Sequence, residues 1–133
     1  MSNFQNIVPK QLGQAALTTS VATIYTVPIA TANSAVGANS ITTQQTTTYV
    51  KDINICNTTG APITVNVHFV PPGGTAGTGN AILYGFSVAA NGVERWTGTQ
   101  LLPPSTSSTS KTTIQASASA AGLTITISGA EAT

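Results

Sequence analysis

From Ile63 to Val70 the residues Ile63, Val65, Val67 and Phe69 alternate with Thr64, Asn66, His68 and Val70. A period of two puts successive side chains on opposite faces of a strand, whereas a helix needs apolar residues three or four apart. The period recurs along the chain. Tyr49, Lys51, Ile53 and Ile55 share one face opposite Val50, Asp52, Asn54 and Cys56. Ile82, Tyr84, Phe86 and Val88 form another alternating set, and Leu123, Ile125 and Ile127 a third, expected to face the core. Val21–Val27, ended by Pro28, together with Val93–Thr99 and Thr112–Ser119 complete the expected strands, because proline cannot donate to a ladder. No stretch carries a helical apolar stripe. The chain reads as all-β.

Short turns between these runs suggest hairpins. Thr58-Thr59-Gly60-Ala61 would join the strands on either side of it, Asn91-Gly92 suits a turn that needs positive φ, and Ala121-Gly122 would close a last pair. Pro71-Pro72-Gly73-Gly74 stops one strand and opens a flexible loop to Asn80. The expected organisation is an N-terminal arm over residues 1–14 and a single domain over 15–133, with a long loop at 29–46. That domain is a β-sandwich of immunoglobulin-like or jelly-roll type with about seven to nine strands. Long loops in compact domains are often functional, so 29–46 is a candidate contact surface.

Only 5% of residues are charged, for a net charge of +1, against roughly a quarter in an ordinary soluble domain. Thr and Ser carry the polar surface instead, and β-branched Thr fits a pleated, half-exposed face. Lys10, Lys51, Arg95 and Lys111 are scattered. They do not form the cluster that nucleic acid or an anionic membrane surface requires. No membrane span and no secretory leader are expected. The single cysteine, Cys56, permits no intrachain disulfide and is expected to be a small buried residue.

The inventory for chemistry is small. His68 is the only histidine, and in a hairpin it would lie diagonal to Asp52. No Ser sits in a Gly-x-Ser-x-Gly elbow, and two ligands fall short of the three or four that a metal needs. Glu94 and Arg95, as neighbours on a strand, point to opposite faces. Gly73–Gly79 is glycine-rich but lacks the lysine and the following helix of a phosphate loop. Neither catalysis, a metal nor a cofactor is expected. The candidate residues are assembly contacts: Phe4, Ile7, Val8 and Leu12 in the arm, Val36 and Ile41 in the long loop, and the Arg95–Trp96 pair. Arg and Trp are enriched at interface hot spots, although a lone Trp is also a natural core residue.

The segments Ile24-Tyr25-Thr26-Val27-Pro28, Val50-Lys51-Asp52-Ile53-Asn54-Ile55-Cys56-Asn57-Thr58-Thr59 and Val65-Asn66-Val67-His68-Phe69-Val70-Pro71 with Gly73-Gly74-Thr75-Ala76 resemble small bacteriophage and prophage virion proteins. The stretches Ile114-Gln115-Ala116 and Ile125-Thr126-Ile127-Ser128-Gly129 are similar too. The resemblance runs from Ile24 to Glu131, apart from 29–46. It implies a sandwich in a virion and no catalytic residues. The favoured expectation is a capsid decoration or cement protein that binds the major capsid protein as a homo-oligomer, for example a trimer. A neck, tail or fibre adaptor is the alternative, and a carbohydrate-binding module a more remote one. Deleting residues 2–14 is expected to weaken binding to the particle while the domain still folds.

Overall fold

The computed structural model describes residues 7–29, 31–33, 42–44 and 46–132. Among the described residues there are ten strands: β1 (Ile7–Ala16), β2 (Ala22–Thr26), β3 (Thr31–Asn33), β4 (Thr42–Gln44), β5 (Thr47–Asn57), β6 (Ile63–Val70), β7 (Ala81–Val88), β8 (Val93–Leu102), β9 (Thr113–Ala118) and β10 (Leu123–Ala132). Two four-stranded antiparallel sheets, ordered β1-β10-β5-β8 and β2-β9-β6-β7, form a β-sandwich. Between consecutive sandwich strands every connection crosses from one sheet to the other, except β6 to β7. This interleaving, with the first strand beside the last, is the jelly-roll arrangement.

The three turns expected to close hairpins therefore bridge the sheets instead. β5 and β6, β7 and β8, and β9 and β10 each lie in different sheets. Sheets packed face to face are ~10 Å apart, a gap that a few residues span as readily as the ~4.8 Å between paired strands. Asn91 does take positive φ (53°), as its turn requires.

Most of the expected arm belongs to the sandwich. Ile7–Gln14 forms most of β1, which pairs antiparallel with β10 from Ile7↔Ala132 to Ala16↔Thr124. β1 is an edge strand, which is why Pro9 is tolerated within it. Deleting residues 2–14 would remove this edge and the buried Leu12, so the domain would not be left intact. In the region expected to be a long loop, β3 and β4 pair as an antiparallel ribbon, and Ile29 bridges Ser105 at its base.

The core lies between the sheets and is aliphatic: Val50, Ile53, Ile55, Val65, Val67, Ile114, Leu123, Ile125 and Ile127 are fully buried. Each such side chain contributes ~1.5–3 kcal/mol on burial. Bulges alter the simple alternation in two places that shape the functional surface. At Lys51 the register slips against both β10 and β8. Val50 thereby joins Ile53 and Ile55 on the inner face, and Lys51 turns outward. On β7, Val65 pairs with Phe86 and Val67 with Leu83, so Tyr84 and Gly85 form the bulge, with Gly85 at φ 61°. A glycine in the left-handed region is the usual solution there. Leu83 packs against the core, and Tyr84 is exposed.

Candidate functional site

β7 and β8 are the free edges of the two sheets on one side of the sandwich, and the wall between them is not closed. A cavity of about 140 Å³ lies there, lined by Ile55 from β5, Leu83 and Phe86 from β7, and Glu94, Arg95 and Trp96 from β8. Trp96 pairs with Ile53 and Glu94 with Ile55. Directly paired residues share a face, so both side chains point between the sheets. Trp96 packs against the core, and the edge of its ring passes over Gly98, where an added Cβ would sit 3.2 Å from Cζ2. The cavity is open to solvent at Phe86, which is 40% exposed.

Arg95 stands on the outer face. Its Nε and Nη2 donate to the two carboxylate oxygens of Asp52 at 2.9 and 2.8 Å. This bidentate pair holds the guanidinium pKa above its ordinary value, through the hydrogen bond first and the opposite charge second. Glu131 is also engaged, by Lys10 at 3.3 Å and by the Tyr25 hydroxyl at 2.6 Å. Of the chain's three carboxylates, Glu94 alone has no ion pair or side-chain hydrogen bond among the described residues.

A second polar cluster ties the opposite side of the sandwich. Tyr25 on β2 donates to Glu131 on β10, and Thr48 on β5 donates to the Tyr25 oxygen at 2.8 Å. Burial, and then the Glu131 carboxylate, push the phenol pKa well above its usual value. His68 lies on the outer face of its own sheet, beneath the glycine-rich loop. Its Nδ1 faces the Gly77 carbonyl at 3.0 Å and Asn80 Oδ1 at 3.2 Å. Both are acceptors, so Nδ1 carries the proton. Asp52 is in the other sheet, so the Ser/His/Asp arrangement is not formed. The loop expected to be flexible is folded onto His68, and Asn80 also holds Thr75 and Gly77. Among the described residues, no three His, Cys, Asp or Glu side chains come together.

No protein-family model matches the chain, and no curated protein matches it. Among solved structures it is similar to one described as "Structure of infectious bursal disease virus Gx strain", with a TM-score of 0.45 and 11% sequence identity. The match covers 98% of this chain and 32% of that one, so the chain spans about a third of its neighbour's length. The jelly-roll topology described above follows from the strand pairing alone.

The structure places the expected assembly residues unevenly. Arg95 and Trp96 sit on opposite faces of the open edge, and both line the cavity. Ile7 and Val8 are exposed on β1, at the other side of the sandwich. Leu12 is 8% exposed and belongs to the core, because the β1 bulge between Gln11 and Gly13 turns it inward. Phe4, Val36 and Ile41 lie outside the described residues. Cys56, expected to be buried, is half-buried on the outward face of β5. Sequence reasoning missed Leu83, Phe86 and Glu94 as parts of one surface. Gly85, isolated within an alternating run, was the available signal, since such a glycine marks a bulge.

Proposed function

We propose that this chain is a non-enzymatic structural protein of a virus particle. More specifically, we read it as a decoration or cement protein of a bacteriophage shell, localised to the virion and binding the major capsid protein as a homo-oligomer such as a trimer. The observation that carries this reading is a jelly roll whose outside is nearly free of unpaired charge. Of seven charged residues, Lys10 and Glu131 form one pair and Arg95 and Asp52 another. Copies with such surfaces pack densely without strong mutual repulsion, and interface cores are themselves poor in charge. Jelly rolls serve capsids, lectins and cupins alike, so the fold supports the reading without deciding it. The motif resemblance to phage virion proteins adds to it.

A neck, tail or fibre adaptor has the same chemistry and differs in copy number. A carbohydrate-binding module draws support from the exposed Phe86 ring, which shares the cavity with Trp96, since aromatic faces stack on sugars. Quantitative mass spectrometry of purified virions, against the major capsid protein, tests the proposal. About one copy per capsid subunit, or one trimer per few subunits, is the expected result. About six or twelve copies per particle would move the protein to the neck or tail, following the symmetry of those structures. Absence from virions, or glycan binding that Trp96→Ala abolishes, would overturn the reading.

A further inference from the structure

The slot between β7 and β8 carries one charged group, Glu94, without an ion pair among the described residues. Glu94 pairs with Ile55 and lines the cavity with it, so its half-buried side chain leans toward the gap between the sheets. Ile55, Leu83, Phe86, Arg95 and Trp96 line the same cavity. A carboxylate beside an apolar wall is an attractive seat for a cation or for hydrogen-bond donors, the more so once an occupant excludes water. Glu94 has neither among the described residues, and the adjacent Arg95 is committed to both oxygens of Asp52 on the opposite face. The cavity, at about 140 Å³, is far larger than the ~10–15 Å³ that a single water needs. It has room for a side chain.

The lining specifies which side chain. Ile55 and Leu83 offer an apolar sleeve for methylenes, Phe86 and Trp96 offer ring faces that attract cations, and Glu94 offers the counter-charge. That combination matches a lysine. The walls are themselves unpaired strand edges, which present backbone donors and acceptors to an extended segment. Both edges are interrupted, β7 at Tyr84–Gly85 and β8 between Thr97 and Gln100. Bulges and an inward-pointing charge deter indiscriminate strand pairing. The same carboxylate therefore rejects a purely apolar strand and accepts one that brings a cation.

We propose that this slot is a docking site for an extended segment of a partner protein bearing a lysine, whose ammonium seats on Glu94 while its backbone pairs along β8. Of this chain's three lysines, Lys10 is engaged by Glu131 and Lys51 by Thr99 at 2.8 Å, while Lys111 sits in the loop that precedes β9 and not on an unpaired extended segment. Charge complementarity therefore favours a different protein over a second copy. The proposal does not depend on where in a particle the chain resides.

Trp96, the only tryptophan, lines the slot, so its emission reads occupancy. The full chain is titrated with the acetylated, amidated peptide Thr-Val-Lys-Val-Thr and with its norleucine twin, which keeps the stem and lacks the ammonium. The expected result is a saturable emission change with the lysine peptide and at least tenfold weaker binding of the norleucine peptide. In Glu94→Gln, whose thermal midpoint should stay at or above the wild-type value, the two peptides should bind alike. No emission change up to millimolar peptide would overturn the proposal. So would equal affinities in the wild type, or a lysine preference that survives Glu94→Gln. Self-association of the free protein that disappears in Glu94→Gln would make the occupant a second copy and overturn the assignment to a different partner.

Discussion

Replacing Asn57 with Ala should remove a joint between the two sheets. Asn57 ends β5 and is 1% exposed. Its Nδ2 donates to the carbonyls of Ala61 and Val88 at 2.8 and 3.1 Å, and its Oδ1 accepts from Thr59 N and Thr59 Oγ1 at 2.9 and 2.8 Å. Each hydrogen bond contributes ~0.5–1.5 kcal/mol net, so the four together are worth about 2–6 kcal/mol. The Thr59 and Ala61 groups lie on an accessible turn and can hydrate after the substitution. The Val88 bond is buried, and its carbonyl would stay unsatisfied at ~1–3 kcal/mol. A loss of about 3–4 kcal/mol is expected, roughly a 10 °C fall in melting temperature for a domain of this size. Urea unfolding followed by Trp96 emission measures it. Thr59→Val, which removes one of the four bonds and the exposed contacts of the Thr59 hydroxyl with Ala61 O and N at 3.0 and 3.5 Å, which water can replace, should cost about 1 kcal/mol. A loss below about 1 kcal/mol in Asn57→Ala, or equal losses in the two variants, would refute the argument that the buried Val88 bond dominates. The same burial keeps Asn57 from serving as a glycan acceptor, although Asn57-Thr58-Thr59 fits that pattern.

The remaining predictions concern the core and the inter-sheet cluster. Tyr25 is held neutral in the folded chain above its usual value near 10, so its contribution is full below about pH 10 and is lost as the pH rises further. Tyr25→Phe should cost about 1–2 kcal/mol at pH 7 and flatten the alkaline limb of the stability curve; identical limbs in both proteins would refute the assignment. A Cβ at Gly129 would overlap the Tyr49 carbonyl oxygen beside the Lys51 bulge, whereas one at Gly60 meets nothing within 4 Å. Gly129→Ala should therefore destabilise by about 2–3 kcal/mol and Gly60→Ala hardly at all; denaturant midpoints that fall equally would count against the close approach.

The strands whose inner residues are β-branched or Leu in strict alternation were legible from sequence. Ile63, Val65 and Val67, and Leu123, Ile125 and Ile127, are buried as the alternation required. β1 was not legible, because Pro9, Lys10, Gln11 and Gln14 face outward and Leu12 is the one large side chain that its bulge turns to the core. Partner choice was also hidden, since a short turn fits an arch between sheets as well as a hairpin within one. Of the open edge, Arg95 and Trp96 stood out by residue type. Their neighbours Leu83, Phe86 and Glu94 did not, because their convergence depends on tertiary placement and on a bulge that moves the phase of alternation by one residue.

Pairing Ile7 with Ala132 has a cost in time. A ribosome adding ~5–20 residues per second must make β2 to β9 before β10 can meet β1, and β5 likewise waits for β10 before the centre of its sheet is complete. Until then the nascent chain carries its aliphatic strands with unfilled edges. A jelly roll closed by β1 and β10 thus stays open until β10 emerges, and the cell's chaperones meet it at its stickiest, when nine strands are made and one sheet still lacks its middle.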